Sequence, residues 1–248
     1  MVNEPLAHDT WPLGALAPGA LPPGLRVYAV GDIHGCAEQL AALHAQIAAD
    51  AQARPVPRVV LVHLGDYVDR GDDSAAVLER LLGPPPVPGA EVVNLLGNHE
   101  VMMLDACDPR SPAGAMPFWL ENGGAETLAS YGASPDGRGD PWAEVPEAHL
   151  ALIRRCPLRW SAGDYLFVHA GVRPGVPLER QDPFDLIWIR EPFLSFEGDL
   201  PQIVVHGHTP VTLPAIRPHR IGIDTGACFG GELTCLVLAG QRLRFLTA

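Results

Sequence analysis

Five short segments govern what this chain can fold into. Gly31-Asp-Ile-His-Gly35, Gly65-Asp-Tyr-Val-Asp-Arg-Gly71, Gly97-Asn-His-Glu100, Val168-His-Ala-Gly171 and His206-Gly-His-Thr-Pro210 each follow an apolar run. Each mixes Asp, Asn or His with Gly, which lets a backbone turn sharply and approach a ligand closely. The runs over residues 26–30, 58–64 and 91–96 read as buried strands. Between them come helical spacings. Leu40, Leu43 and Ile47 mark a helix over 38–50. A second covers 74–82, with Ser74 as its N-cap and Pro84-Pro85-Pro86 beyond its end. A short third helix runs toward Leu104. The alternation predicts βαβ units and a parallel or mixed sheet. Such sheets build their sites at the carboxyl ends of strands, so the turns should meet in space.

The second half is less regular. Residues 108–117 and 134–146 are rich in Pro, Gly and polar side chains and read as loops. Helices are expected over 119–131 and 146–155. Strands are expected over 164–169, 202–206, 220–223, 232–238 and 242–246, the last two joined at Ala239-Gly240-Gln241 as a hairpin. Core strands on both sides of the middle argue for one domain over 25–248. Residues 1–24, with prolines at 5, 12, 18 and 22, read as a flexible arm. That arm lacks the basic start and apolar run of a signal peptide.

Charge and composition exclude whole classes. A net charge of −12 is the wrong sign for a nucleic-acid or anionic-membrane surface. The chain has no lysine, so all 17 of its Lys and Arg residues are arginine. That rules out a P-loop lysine, a kinase strand lysine and a Schiff-base lysine. Any side-chain cation that handles phosphate must be Arg or His. The five cysteines are odd in number and none forms a C-x-x-C pair, which suits reduced thiols in a cytoplasmic protein. No apolar run approaches the ~20 residues that span a bilayer.

Carboxylate and imidazole with almost no thiol suit a divalent ion such as Mn, Fe or Zn. An Asp-x-His pair on one turn can place two ligands on one ion, and an Asp on the next turn can bridge to a second through its two oxygens.

In this order, the five clusters resemble the calcineurin-like metallophosphoesterases, and more narrowly the bacterial and phage-type phosphoprotein phosphatases. The resemblance spans roughly Val27 to Leu238. Phe184-Asp-Leu-Ile-Trp-Ile-Arg-Glu191 and Ile223-Asp-Thr-Gly-Ala227 are also similar to that branch. It implies an α/β fold with a central β-sandwich of two mixed sheets flanked by helices. It further implies that Asp32 and His34 hold one metal, that Asp66 bridges two, and that Asn98, His169 and His208 complete the second. The cofactor would be two divalent ions, Mn2+ first and Fe or Zn as alternatives, ~3.5–4 Å apart with a shared hydroxide as nucleophile. His99 would be the general acid and Asp69 its hydrogen-bond partner. Arg70 and Arg190 would clamp phosphoryl oxygens, with Asn98 beside them. The partner would be a phosphorylated protein or peptide, or a small phosphoester such as a dinucleoside tetraphosphate, and neither a nucleic acid nor a membrane. Eukaryotic members carry Arg where this chain has Leu96.

Other residues have plainer readings. His206 is expected at a strand end behind the ligands, and His63 as a satisfied core histidine. His8, His44, His149 and His219 are expected on the surface or in loops. Glu100 should orient its turn. The cysteines should be small core side chains, and Trp119, Trp142, Trp160 and Trp188 mainly core.

Overall fold

Strand β2 (Leu25–Val30) shows how the chain is layered, because both of its faces are buried. Val27 and Ala29 point to one apolar cluster, Tyr28 and Val30 to another. A strand covered on both sides reads as continuous apolar sequence, as this one does. In the computed structural model, which describes residues 15–133 and 140–248, β2 is central in a six-stranded sheet. The strand order is β1-β11-β10-β2-β3-β4. Here β1 is Ala15–Leu16, β3 Arg58–His63, β4 Glu91–Asn94, β10 Thr234–Ala239 and β11 Arg242–Thr247. β2, β3 and β4 run parallel, while β10, β11 and β1 are antiparallel.

The second sheet has the order β5-β6-β7-β9-β8. Its strands are β5 Arg159–Ala162, β6 Tyr165–Val168, β7 Ile203–His206, β8 Ala215–Ile216 and β9 Arg220–Gly222. β6, β7 and β9 are parallel, and β5 and β8 antiparallel. Tyr165 and Phe167 share an apolar cluster with Val27, Val60 and Val62 of the first sheet, so the sheets pack face to face. Helices α1 (Ala37–Ala53), α2 (Ser74–Leu82), α3 (Asn98–Cys107) and α6 (Glu147–Arg154) cover the outer face of the first sheet. α7 (Pro183–Trp188) covers the second, where Leu186 meets Leu166 and Val204. The fold is the expected sandwich of two mixed sheets flanked by helices.

Several details differ from expectation. Residues 1–14 of the expected arm lie outside the described residues. Residues 15–24 belong to the domain: Ala15 and Leu16 pair with Leu243 and Arg242, and Leu21 is buried. The expected helix over 119–131 is two helices, α4 (Ala115–Trp119) and α5 (Ala125–Ser130). They are joined by a widened turn, Leu120–Gly124, in which Gly123 has φ 103°. α4 also shortens the first expected loop, and residues 134–139 of the second lie outside the described residues. Asp73, not Ser74, caps α2, accepting from the Ala76 N–H at 3.0 Å. His44, His149 and His219 are buried rather than superficial. His44 lies 3.0 Å from the Nε2 of His63, whose Nδ1 meets Asn94. His149 meets Tyr131 and Glu79. His8 lies outside the described residues. Of the cysteines only Cys235 is fully buried, and all five are free. Among the described residues, no helix is long and apolar enough to cross a membrane.

Candidate active site

β2, β3, β4, β6, β7 and β9 all end at one edge of the sandwich, and the polar turns leave from those ends. The first two turns are laced together. The Ile33 and His34 N–H groups donate to the Asp66 carbonyl at 3.0 and 2.8 Å, and the Gly35 N–H donates to Tyr67 at 2.9 Å. Glu100 ties in the third turn. Its carboxylate accepts from the N–H groups of Asp66 (2.8 Å), Tyr67 (2.7 Å), Val68 (3.3 Å) and Gly97 (3.0 Å). The role expected for Glu100, orienting its turn, is therefore what it does. Glycine is required where turns touch. A Cβ on Gly97 would lie 2.2 Å from Asp66 Oδ1, and one on Gly207 would lie 1.9 Å from Asp32 Oδ1.

The convergence is costly for the backbone. His34, Asp66, Asp69, Arg70 and His208 are the non-glycine residues with positive φ among those described, from 43° to 73°. Each such residue costs on the order of 1–3 kcal/mol and persists only where its surroundings over-determine it. All five are among the site residues the sequence leads one to expect.

The side chains meet in two groups that share Asp66. His34, Asp66 and His99 form one and Asp66, His169 and His208 the other, with donor atoms within 4.8 Å of one another in each. The imidazoles are aimed by their second nitrogens. His34 Nδ1 lies 2.8 Å from the Val68 carbonyl and His169 Nδ1 lies 2.9 Å from the Leu64 carbonyl. This turns both Nε2 atoms toward Asp66, at 3.4 and 3.3 Å. Asn98 Oδ1 is 2.9 Å from His169 Nε2. His208 Nε2 is buried with no hydrogen-bond partner. Asp32 joins through the His208 N–H, which donates to its carboxylate at 2.9 and 3.2 Å.

The electrostatics call for positive charge in this space. Burial alone would lift the Asp66 carboxyl, but the His169 and His99 imidazoles outweigh it and hold it well below the usual range. Burial would lower His169, yet Asp66 raises it to about 10. Burial, then neighbouring Asp224, lifts Asp32. Burial pushes His34 and His208 down to about 3, leaving neutral imidazoles of the kind that ligate cations. An orphaned Nε2, a low-lying shared carboxylate and oxygen–nitrogen donors fit divalent ions of the Mn, Fe or Zn type.

His99 and Asp69 stand beside this centre, with Nδ1 to Oδ2 at 2.7 Å. His99 and Asp69 are both buried. Burial pushes His99 down to about 4. It also raises Asp69, against the pull of the Thr127 and Trp119 hydrogen bonds. Arg70 is half-buried and donates to His34 Nε2 at 2.7 Å. Arg190 is the member of the expected set that stands apart. It is exposed at the rim, but its charge still lowers His208. His206 is buried at the end of β7, the strand end expected for it, with Nδ1 on the Gly207 carbonyl at 3.0 Å. Sequence reasoning missed Trp119 and Thr127, both bonded to Asp69. It also left Asp224, buried near Asp32, without a role.

A four-layer α/β sandwich with a carboxylate–imidazole cluster on its strand ends defines the class. The chain belongs to the calcineurin-like phosphoesterase family, whose model matches residues 25–235, and it is a phosphoester hydrolase. It is 30% identical over 220 residues to serine/threonine-protein phosphatase 1 of Salmonella typhimurium, covering 84% of this chain and 89% of that one. It is 28% identical over 233 residues to an asymmetrical bis(5'-nucleosyl)-tetraphosphatase, PrpE, of Bacillus thuringiensis, covering 84% and 88%. In fold it is similar to the crystal structure of a candidate diadenosine tetraphosphatase. There the TM-score is 0.61 at 23% identity, over 92% of this chain and 98% of that one.

Proposed function

We propose that this protein is a dinuclear-metal phosphomonoesterase, and specifically a protein phosphatase acting on phosphoserine and phosphothreonine, with phosphotyrosine as a further substrate. The observation that carries this reading is the pair of groups sharing Asp66, His34–Asp66–His99 and Asp66–His169–His208, with Asp69 on His99 and Arg70 on His34. Asp32, His34 and Asp66 would hold one ion, and Asp66, Asn98, His169 and His208 the other, with Mn2+ the first choice. Bound ions supply Lewis acidity and a water acidified to near-neutral pKa.

The chain's own residues supply the rest. Arg70 and Arg190 fork onto phosphoryl oxygens, with Asn98 beside them. Arg70 now donates to the His34 lone pair. His34 would hold its ion through that same Nε2, and Arg70 would then turn its guanidinium to the substrate. His99 gives a proton to the leaving oxygen. Burial disfavours its charged form, and a dianionic ester brought against it restores that form.

Two features favour a protein substrate. The segments Gly65–Gly71 and Gly97–Glu100 read as the phosphatase pattern, and the Salmonella phosphatase is similar over most of the chain. A second reading, hydrolysis of dinucleoside tetraphosphates, has the support of the Bacillus relative at nearly equal identity. Turnover of a phosphoserine peptide and of diadenosine tetraphosphate, each with Mn2+, separates the two. The peptide is expected to be cleaved with the larger kcat/KM. The reverse order would replace the protein assignment with the nucleotide one.

A further inference from the structure

Asp69 is held more firmly than a hydrogen-bond partner of His99 needs to be for packing alone. The Trp119 indole N–H donates to both of its oxygens, at 2.9 and 3.0 Å. The Thr127 hydroxyl donates to Oδ1 at 2.8 Å. The same hydroxyl accepts the Asp69 backbone N–H at 2.8 Å, and Ser74 lies 3.0 Å away. With the Thr127 proton committed to Asp69, Ser74 is the donor in that last pair. Trp119 and Thr127 belong to α4 and α5, on opposite sides of the widened turn. Between them the Gly123 carbonyl accepts the Arg70 N–H at 3.1 Å. Segment 115–130 thus grips two consecutive strained residues, Asp69 and Arg70.

The segment is shaped for this. A Cβ on Gly124 would lie 2.4 Å from the Trp119 indole, so the glycine lets the ring lie flat on the backbone. The ring's position is fixed from elsewhere by Trp142, stacked 5.0 Å away at 20°. A phenyl ring could still stack on Trp142 but carries no donor. Only an indole puts a donor on the carboxylate.

We propose that Trp119 and Thr127 are positioning residues for proton delivery: they fix the Asp69 carboxylate so that His99 presents Nε2 to the leaving oxygen. The inference rests on the phosphoesterase reading of the site. It does not depend on which phosphoester is the natural substrate. As a water-derived oxygen bonds to phosphorus and the ester P–O bond breaks, the leaving oxygen takes the proton from His99 Nε2, and Asp69 stabilises the orientation without giving up or accepting that proton.

The test uses the full-length, Mn2+-loaded protein and two esters. p-Nitrophenyl phosphate releases a stable anion that hardly needs a proton, whereas a phosphoserine peptide releases an alkoxide that does. Trp119→Phe keeps an aromatic ring, and Thr127→Val keeps the side-chain shape. With the peptide, each should lower kcat roughly 10-fold, a part of the ~10²–10⁴-fold that general acid catalysis contributes. KM and metal content should stay at wild-type values. With p-nitrophenyl phosphate each should cost about 2-fold or less by the same reasoning. Thr127→Ser should restore the peptide activity. In an Asp69→Asn background, Trp119→Phe should add nothing further. Equal losses on both esters, or losses that add to Asp69→Asn, would make Trp119 and Thr127 packing residues and overturn the proposal. If Trp119→Phe does not fold, the Thr127→Val and Thr127→Ser pair decides it alone. Wild-type protein inert toward both esters would instead overturn the phosphomonoesterase reading, and this inference with it.

Discussion

Replacing Glu100 by Gln tests how the site is assembled. The carboxylate is fully buried and accepts four backbone N–H bonds, two on each oxygen. Glutamine has one acceptor oxygen. If that oxygen stays on Tyr67 and Val68, the new amide N–H faces the Asp66 and Gly97 N–H groups, which then have no acceptor. A buried donor left unpaired costs about 1–3 kcal/mol, so two cost about 4 kcal/mol. For a domain of this length each kcal/mol lowers the melting temperature by about 2–4 °C, giving a fall of about 8–16 °C. The measurement is thermal unfolding followed by circular dichroism, in chelator so that lost metal does not enter. Repeating it with Mn2+ should show a smaller metal-induced rise in the variant, because one loosened N–H is that of Asp66 itself and the other holds the neighbouring turn against it. A melting temperature within about 2 °C of wild type would refute the argument, since two orphaned donors cannot cost so little.

Three further outcomes are expected. His99→Ala should depress turnover about 10²–10⁴-fold, the range of a lost general acid, while metal content by atomic absorption stays unchanged; joint loss of metal and turnover would make His99 structural. Asp66→Ala should bind fewer ions per chain than wild type in equilibrium dialysis against Mn2+, and unchanged stoichiometry would remove Asp66 from its bridging role. Burial lowers His44 to about 3 and His63 to about 4, while the unfolded values lie near 6.5. The unfolded state therefore binds protons that the native state refuses, and stability falls as pH drops from about 6.5 toward 4, by up to about 1.4 kcal/mol per pH unit for each histidine. His44→Gln should flatten that limb of a urea-unfolding series by about one proton, and superimposable slopes would contradict the assignment.

What the sequence made legible follows from range. A buried parallel strand is an apolar run, and the Gly-Asp behind β2 and β3, or the His and Gly behind β6 and β7, marks its end, so these four can be placed closely. The edge strands β1, β5 and β8 cannot. β5 alternates exposed and half-buried residues, and β8 is two residues long. α7 has six residues, too few for a helical period to show, and the Asp182 cap on the Phe184 N–H was its best local signal. His44 could have been read correctly. It occupies the fourth-residue step from Leu40 on the buried face of α1, alongside Leu43 and Ile47. Trp119 and Thr127 had no such signal. They reach Asp69 from 50 and 58 residues away, and nothing local in a sequence aims an indole N–H at a distant carboxylate.

The left-handed backbone at His34, Asp66, Asp69, Arg70 and His208 sets heat tolerance against speed. Glycine would relieve the torsional cost at any of them and would remove the very group the turn exists to present. A library screened for resistance to heating alone should drift toward glycine at these five positions and lose its chemistry as it does so. Durability in this enzyme has to be engineered into the sheets and outer helices, with the strand-end turns left alone.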